Sequence, residues 1–371
     1  MKKLLCSVLL LVIIMLPLPS ASAAEVGTSA AAFALYCPDN GTLLLSENAD
    51  LKLPIASTTK IMTTVLTLEE AARDNRVVEF TDEMAAEGSS MYLKRGEKVT
   101  LYDLAVGMMM QSGNDAANAA AITIAGSIAA FADRMNEKAQ AIGMTHTHFV
   151  TPSGLDDEEH YSTAYDMVLL TAYAMQNENF ASIVSQTSME VHFLYPADKF
   201  MTYPNHNKLL RMYEDCIGGK TGYTEKAGRC LVSVSRRDGL TLIAVTLDDP
   251  DDWHDHIALF DYGFDHFEKR TLSVDSFTLA VVGGVQDTLN VSAQDQSVVV
   301  PKDAEELTTR WNLPAFLYAP VQEGDCVGTV EYSLQGEALI EVPLKADESV
   351  AYDSTRRNFI DYIKDLLHWH S

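Results

Sequence analysis

Hydrophobic and polar positions alternate with a period of two near residue 30 and again after residue 190, and they follow a helical period between these regions. Apolar runs at 31–36 and 42–45 flank Pro38-Asp39-Asn40-Gly41, and the Asn-Gly pair accepts the positive φ of a tight turn. The pattern therefore predicts that the globular part of the chain begins with a hairpin of two antiparallel strands.

Helical periodicity extends from about Ser57 to Asn177. It predicts helices at 61–72, 101–110, 116–130 and 132–142, and Thr163-Ala164-Tyr165-Asp166 has the sequence of a capping box that begins another. Further along the chain we expect strands at 190–195, 217–221, 230–234 and 240–247, followed by a closing helix at 253–267.

A helical block inserted between the strands of one antiparallel sheet indicates an α+β fold, which we assign to residues 24–268. After Lys269 the pattern changes to short β-type runs at 277–282, 297–300, 328–332 and 338–342, separated by Gly, Pro and Asp. These runs predict a small all-β domain at 269–351.

Both ends of the chain have their own patterns. Lys2 and Lys3, an apolar run at 4–16 and Ala21-Ser22-Ala23 predict a signal peptide at 1–23 and an exported protein. The run is shorter than the roughly 20 apolar residues that a membrane-spanning helix needs.

Residues 354–371 predict an amphipathic helix with Phe359, Ile363, Leu366 and Leu367 on one face. Such a helix would lie in the outer face of the cytoplasmic membrane, and the alternative is that it docks onto its own β domain.

Composition adds further limits. The 371 residues are 47% hydrophobic and 21% charged, which is typical of globular protein and long enough for two domains. The net charge of −25 argues against nucleic acid as a partner. The cysteines have no metal-ligand spacing, and Cys216 and Cys230, on neighbouring predicted strands, are either buried thiols or a disulfide.

Three short motifs carry candidate chemistry. In Ser57-Thr58-Thr59-Lys60 the serine and lysine are three residues apart, so on a helix the amine can reach the hydroxyl. This makes Ser57 a candidate nucleophile and Lys60 its general base, provided that burial and a second cation lower the pKa of the lysine. Lys220 is the candidate second cation.

The second motif, Ser112-Gly113-Asn114, lies between two predicted helices. Ser112 could relay a proton to a leaving nitrogen, and the Asn114 amide could hold a substrate backbone or orient Lys60.

The third motif, Lys220-Thr221-Gly222, ends a predicted strand, where a cation and a hydroxyl can bind a substrate carboxylate. Gly222 allows a substrate backbone to approach, and the backbone N–H groups of Ser57 and Tyr223 could form an oxyanion hole.

Together these motifs resemble the D-alanyl-D-alanine carboxypeptidases, the low-molecular-weight penicillin-binding proteins of serine peptidase family S11. Related sets of Ser-x-x-Lys, Ser-Asp-Asn and Lys-Thr-Gly occur in penicillin-binding proteins and class A β-lactamases. Further blocks that resemble this family lie at 88–93, 112–117, 154–155, 160–167, 220–224, 261–264, 319–320 and 360–364.

The resemblance implies that Ser57 attacks the carbonyl between the two terminal D-alanines of a peptidoglycan stem pentapeptide. D-alanine leaves, water hydrolyses the acyl-enzyme, and β-lactams acylate the same serine; no cofactor or metal is implied. Some relatives hold the terminal carboxylate with an Arg after the fourth strand, whereas this chain has acidic residues at 248–252.

Two alternatives stay open at this point. A serine β-lactamase would need a deacylating base, which class A enzymes carry in a Glu-x-x-Leu-Asn segment that this sequence lacks between its second and third motifs. A catalytically silent penicillin-binding scaffold would not need Ser57, Lys60, Ser112 and Lys220, all of which are present.

Overall fold

The computed structural model describes residues 26–304 and 306–355. The predicted signal peptide lies outside these residues, as does the predicted C-terminal helix except for its first two positions. The described chain divides into two compact units, residues 26–267 and residues 268–355.

The first unit is built from strands and helices in alternating blocks. Its strands are β1 (Ala32–Cys37), β2 (Thr42–Glu47), β3 (Val77–Glu79), β4 (Lys98–Thr100), β5 (Ser188–His192), β6 (Phe200–Pro204), β7 (Cys216–Thr224), β8 (Gly228–Arg237) and β9 (Leu240–Leu247). Its helices are α1 (Lys60–Arg73), α2 (Leu101–Met110), α3 (Asn114–Ala125), α4 (Ile128–Ile142), α5 (Ala164–Ala174), α6 (Glu178–Ser185), α7 (Leu209–Met212) and α8 (Asp252–His266).

One antiparallel sheet forms the framework of this unit, with the strand order β2-β1-β9-β8-β7. Helices α1 to α7 are inserted between β2 and β7, so the predicted α+β arrangement is confirmed. Helix α1 contacts α2, α3 and α5, and the 3₁₀ turn that precedes it, Ala56–Thr59, contacts β7 and β8. The start of α1 therefore lies where the helical block meets the sheet.

Local sequence signals account for several helix ends. Thr100 and Asp103 form a reciprocal capping box at the start of α2, with Asp103 N donating to Thr100 Oγ1 at 3.1 Å. Thr163 caps α5 as predicted, because Asp166 N donates to its hydroxyl at 3.0 Å. The Asp166 carboxylate instead accepts from His146 N at 2.8 Å, so this end has only half of the predicted box.

The predicted helix at 116–130 is wrong in one respect, since it is broken in two. Gly126 adopts a left-handed conformation (φ +82°) that ends α3, and the Ser127 hydroxyl accepts from Ala130 N to begin α4. Among the described helices, none by itself combines the length and apolar character needed to cross a bilayer, although α3 and α4, bent by 86°, pass that test as a pair.

The alternative of a disulfide between Cys216 and Cys230 is also wrong. Strands β7 and β8 are paired, but the register places Cys216 opposite Ser235 and Cys230 opposite Gly222. Both cysteines are buried thiols.

The second unit is all-β, as predicted. Its strands are β10 (Phe267–Leu272), β11 (Phe277–Val282), β12 (Thr288–Ser292), β13 (Gln296–Pro301), β14 (Thr308–Asn312), β15 (Leu317–Tyr318), β16 (Cys326–Leu334) and β17 (Glu337–Ala346). Six of them form a sheet in the order β14-β16-β17-β12-β11-β15, and β10 pairs with β13. Fully buried Val291, Val300, Val330 and Leu344 lie in its core.

Candidate active site

Ser57 and Lys60 lie together at the start of α1. Ser57 is in a single 3₁₀ turn, Ala56–Thr59, and Lys60 is the first residue of the helix that follows. The Lys60 Nζ donates to Ser57 Oγ at 2.8 Å and to the carbonyl of Ser153 at 2.7 Å. Ala56 has φ +45°, a strained value for a residue with a side chain, so the turn is held by its surroundings in the conformation that presents Ser57.

The Lys60 amine has no solvent exposure. Burial, and after it the charge of Lys220, hold its pKa well below the usual value of 10.5, while Asp115 opposes the shift. Both main causes disfavour the ammonium form. An uncharged amine within hydrogen-bonding distance of a hydroxyl can accept its proton.

Ser112 and Lys220 form a second pair. Ser112 follows α2 with φ +58°, and Lys220 lies on β7. The Lys220 Nζ donates to Ser112 Oγ at 3.1 Å and to the Thr221 carbonyl at 2.7 Å. Burial lowers the pKa of Lys220 to about 7, so this amine changes charge near neutral pH. The pair can pass a proton to and from Ser112.

Asn114, the first residue of α3, is held by one half of its amide. Its Nδ2 donates to the Glu87 carbonyl at 2.6 Å. Its Oδ1 is buried and has no hydrogen-bond partner among the described residues. Leaving a buried amide oxygen unpaired costs about 1–3 kcal/mol, so the site holds an acceptor ready for a donor.

Asp115 anchors the loop beside Asn114. Its carboxylate accepts from Ser90 Oγ and Met91 N, both at 2.7 Å, and from Leu93 N at 3.1 Å. This buried carboxylate therefore fixes the 89–93 loop against the start of α3.

Strand β7 passes close to the nucleophile at Gly222. A Cβ placed on Gly222 would lie 3.0 Å from the Ile55 carbonyl oxygen and 3.0 Å from Ser57 N. The absence of a side chain thus allows the strand to approach the Ser57 backbone. Thr221 is half-buried and Tyr223 is 66% exposed, so both lie at the surface of the site.

A family model described as D-alanyl-D-alanine carboxypeptidase, peptidase S11, matches residues 20–251. The chain belongs to this family. A second model, the C-terminal domain of penicillin-binding protein 5, matches residues 267–352 of this D-alanyl-D-alanine carboxypeptidase family member.

Curated relatives match over nearly the whole chain. The D-alanyl-D-alanine carboxypeptidase DacF of Bacillus subtilis is 30% identical, with 99% of this chain and 98% of the relative covered. DacC of Escherichia coli is 33% identical over 90% of this chain and 88% of its own. The solved structure of penicillin-binding protein 5 from Haemophilus influenzae has a TM-score of 0.73 and 27% identity, covering 88% of this chain and 98% of that one.

Two groups in the carboxypeptidase site were missed by the sequence motifs. The Ser153 carbonyl that accepts from Lys60 belongs to the backbone, so no residue type signals it. His160 is buried beside α1, where its Nε2 lies 2.8 Å from Thr59 Oγ1 and its Nδ1 accepts from Val150 N at 3.0 Å and Thr151 N at 3.3 Å.

Through these contacts His160 holds the 150–154 loop against the start of α1. Because Nδ1 is an acceptor, the proton of the neutral ring is on Nε2 and is donated to Thr59. Burial is the main reason that the pKa of His160 falls from 6.5 to about 4, which keeps the ring neutral. The loop is also fixed by Thr63 Oγ1, which donates to the Pro152 carbonyl at 2.6 Å.

The acidic stretch after β9, where some family members carry an Arg, is occupied by contacts of its own. Asp249 accepts from Ser29 Oγ at 2.7 Å, and Asp252 accepts from Arg229 at 2.7 and 2.9 Å. His206 is a basic group near the third motif. Its pKa is lowered from 6.5, mainly by burial and also by the charge of Lys220. In the described ranges no three His, Cys, Asp or Glu side chains are grouped as a metal site.

Proposed function

We propose that this protein is a serine-type D-alanyl-D-alanine carboxypeptidase that removes the terminal D-alanine from peptidoglycan stem pentapeptides in cell-wall biogenesis. The observation that carries the proposal is the 2.8 Å contact between Lys60 Nζ and Ser57 Oγ, in a buried two-lysine site on a chain of this family.

Acylation begins with the proton of Ser57. The uncharged Lys60 amine accepts it as Oγ attacks the carbonyl carbon of the penultimate D-alanine. The oxyanion accepts hydrogen bonds from the backbone N–H groups of Ser57 and Tyr223. Ser57 N lies close to Gly222, and Tyr223 is the next residue after Gly222 on β7. The C–N bond then breaks, and Ser112 delivers a proton to the departing D-alanine nitrogen from the Lys220 side.

Deacylation uses the same groups in reverse. Water attacks the ester carbonyl, and its proton passes through Ser112 to the Lys220 amine, which gave one up during acylation. Lys60 returns the proton that it took during acylation to Ser57 Oγ as the ester bond breaks. β-Lactams acylate Ser57 by the same route, and their slow hydrolysis makes them inhibitors.

Substrate binding relies on β7. This is the last strand of the five-stranded sheet, so one side of its main chain can pair with an extended peptide. Lys220 and Thr221 then bind the terminal carboxylate, and the buried Asn114 Oδ1 accepts from a substrate N–H.

The location of the enzyme follows from the sequence pattern. We place a cleaved signal peptide at 1–23, the catalytic domain at 24–268, the β domain at 269–351 and an amphipathic helix at 354–371. The protein is exported and held peripherally on the outer face of the cytoplasmic membrane by that helix. The support is the A-x-A site and the apolar face that includes Phe359 and Ile363.

The test combines two assays on residues 24–371. D-alanine release from a peptide ending in D-Ala-D-Ala and covalent labelling by fluorescent penicillin are measured for the wild type, for Ser57→Ala and for Ser182→Ala, an exposed serine outside the site. We expect release and label in the wild type and in Ser182→Ala, and neither in Ser57→Ala. Label without release would identify a scaffold instead, and rapid penicillin turnover would identify a β-lactamase.

A further inference from the structure

The β domain exposes a group of apolar side chains at one end of its six-stranded sheet. They are 41–70% exposed, and we call them the terminal patch: Val282, Val285, Phe316, Tyr318 and Tyr352. Isolated exposed apolar residues are ordinary, but a contiguous group usually marks a binding surface.

Contacts show that the terminal patch is contiguous. Val282 and Tyr318 are paired across the parallel strands β11 and β15, and the rings of Phe316 and Tyr318 meet edge to face at 5.1 Å between centroids. On the other side, Val285 N donates to the Ala351 carbonyl at 3.0 Å, directly before Tyr352.

The chain leaves the β domain at this patch. Gly284 and Tyr352 form an isolated β-bridge, and Asp353 N donates to the Gly283 carbonyl at 2.9 Å. The described residues end two positions later, at 355. The sequence that follows, 356–371, is the segment whose pattern is amphipathic, so the proposed membrane anchor begins beside the patch.

The chemistry of the patch fits a lipid surface. Tyrosine is enriched at the boundary of a bilayer, where its ring contacts hydrocarbon and its hydroxyl contacts water. Long-range electrostatic attraction to anionic lipid does not account for binding, because the protein has a net charge of −25 and acidic Asp287 and Asp353 lie beside the patch. Burial of apolar area is then the driving force.

We propose that the terminal patch is a second membrane contact, which inserts into the lipid interface next to the C-terminal anchor and holds the β domain against the bilayer. This inference deepens the membrane attachment proposed above and rests on it. A short anchor alone leaves the domain free to turn about residues 353–355, whereas two adjacent contacts fix the end of the β domain at the surface.

The test measures sedimentation of residues 24–371 with phosphatidylcholine–phosphatidylglycerol vesicles. The patch variant combines Val285→Ser, Phe316→Ser and Tyr318→Ser. The matched control is Trp311→Ser, an aromatic residue 49% exposed that lies against Phe277 at the opposite end of β11. A tail variant, Ile363→Asp with Leu366→Asp, reports the anchor separately, and circular dichroism shows whether each variant is folded.

We expect the patch variant to bind about tenfold more weakly and the control to bind like the wild type. The difference should persist in about 1 M salt, where the Debye length is about 3 Å. As a second readout, Tyr318→Trp is compared in a Trp369→Phe background, because Trp369 lies in the proposed anchor. The added tryptophan should contribute emission that brominated lipid quenches.

Each other outcome has a definite meaning. If the patch variant binds as tightly as the wild type, or if the Tyr318→Trp emission is not quenched, the proposed membrane contact of the terminal patch is wrong. Loss of binding in the tail variant would then show that the C-terminal anchor alone holds the protein on the vesicle. Tighter binding by the patch variant would show that the tail covers the patch, which also overturns the inference. Failure of the wild type to bind vesicles would overturn both membrane proposals, while D-alanine release would still report the enzyme.

Discussion

His160 offers a sharp test of how the site is positioned, because two substitutions separate its two ring nitrogens. His160→Asn keeps an acceptor near the position of Nδ1, for Val150 N and Thr151 N, and loses the contact with Thr59. His160→Gln keeps a donor near the position of Nε2, for Thr59, and loses the acceptor for the two amides. The pair therefore separates the contact with the loop from the contact with α1.

The magnitudes follow from the groups left unpaired. His160→Gln leaves two partly buried amides without an acceptor. A fully buried unpaired donor costs about 1–3 kcal/mol, and partial burial reduces that cost, so we expect a loss of about 2–4 kcal/mol in the free energy of unfolding. His160→Asn loses one hydrogen bond to a hydroxyl, worth about 1 kcal/mol. Penicillin acylation should fall further in the Gln variant, because the displaced loop carries the Ser153 carbonyl that accepts from Lys60.

Urea denaturation and the second-order rate constant of acylation by fluorescent penicillin measure the two effects. We expect His160→Asn to lose less stability and less acylation rate than His160→Gln. Equal losses, or the reverse order, would refute the conclusion that His160 acts through the loop.

The same histidine predicts a pH dependence of stability. Its pKa is about 4 in the folded protein and 6.5 ordinarily, so the unfolded chain binds the proton first as the pH falls. The contribution of neutral His160 to the free energy of unfolding is fully present above pH 6.5 and is lost as the pH falls through about 4. The total loss is about 3 kcal/mol, at 1.36 kcal/mol per pKa unit. Both variants lack this group, so their unfolding free energy should depend less on pH in that window.

Three further predictions concern other groups. In Lys220→Ala the pKa of Lys60 should rise, because the charge of Lys220 is the second cause, next to burial, of its low value. The acid limb of the pH profile of penicillin acylation should therefore move to higher pH, and the rate at pH 6 should be at least about tenfold lower. In Gly222→Ala the added methyl would meet the Ile55 carbonyl and Ser57 N at 3.0 Å, so acylation should fall about 10- to 100-fold with little change in Tm. Buried His256, whose Nε2 lies 3.0 Å from Thr246 Oγ1, has its pKa lowered to about 3, so stability should be lost between pH 6.5 and 3, by up to about 5 kcal/mol, and His256→Gln should show less acid loss.

The contradicting results are equally specific. An unmoved acid limb in Lys220→Ala would show that the second lysine does not set the charge of the first. Acylation at the wild-type rate in Gly222→Ala would remove the argument for a close approach of β7 to Ser57. Identical acid unfolding of the wild type and His256→Gln would show that this ring does not limit stability at low pH.

Where local sequence decides local structure, the sequence predicted it well. Helix α2 and strand β9 have the predicted limits, because capping residues and turns bound their apolar runs. The break between α3 and α4 is also local, since Gly126-Ser127 is the sequence of a helix end followed by a cap. We nevertheless predicted one helix there, because alanine has a high helix propensity throughout the run.

The motifs identified Ser57, Lys60, Ser112 and Lys220 because the chemistry requires those side chains at those spacings. Contacts made across the chain left no such signal. His160 is 101 residues from Thr59, and the Ser153 carbonyl is main chain, so neither could be placed without the fold. The unpaired Asn114 Oδ1 is likewise visible only once the 87–93 loop is in place.

In the mechanism proposed here, Ser57 carries the acyl group during turnover. The most direct measurement is peptide mass mapping of the enzyme, acid-quenched while it turns over a peptide ending in D-Ala-D-Ala. We expect an adduct, equal to the substrate without its last D-alanine, on the peptide that contains Ser57, and no adduct in Ser57→Ala. D-alanine release that continues in Ser57→Ala, or an adduct on another residue, would contradict it.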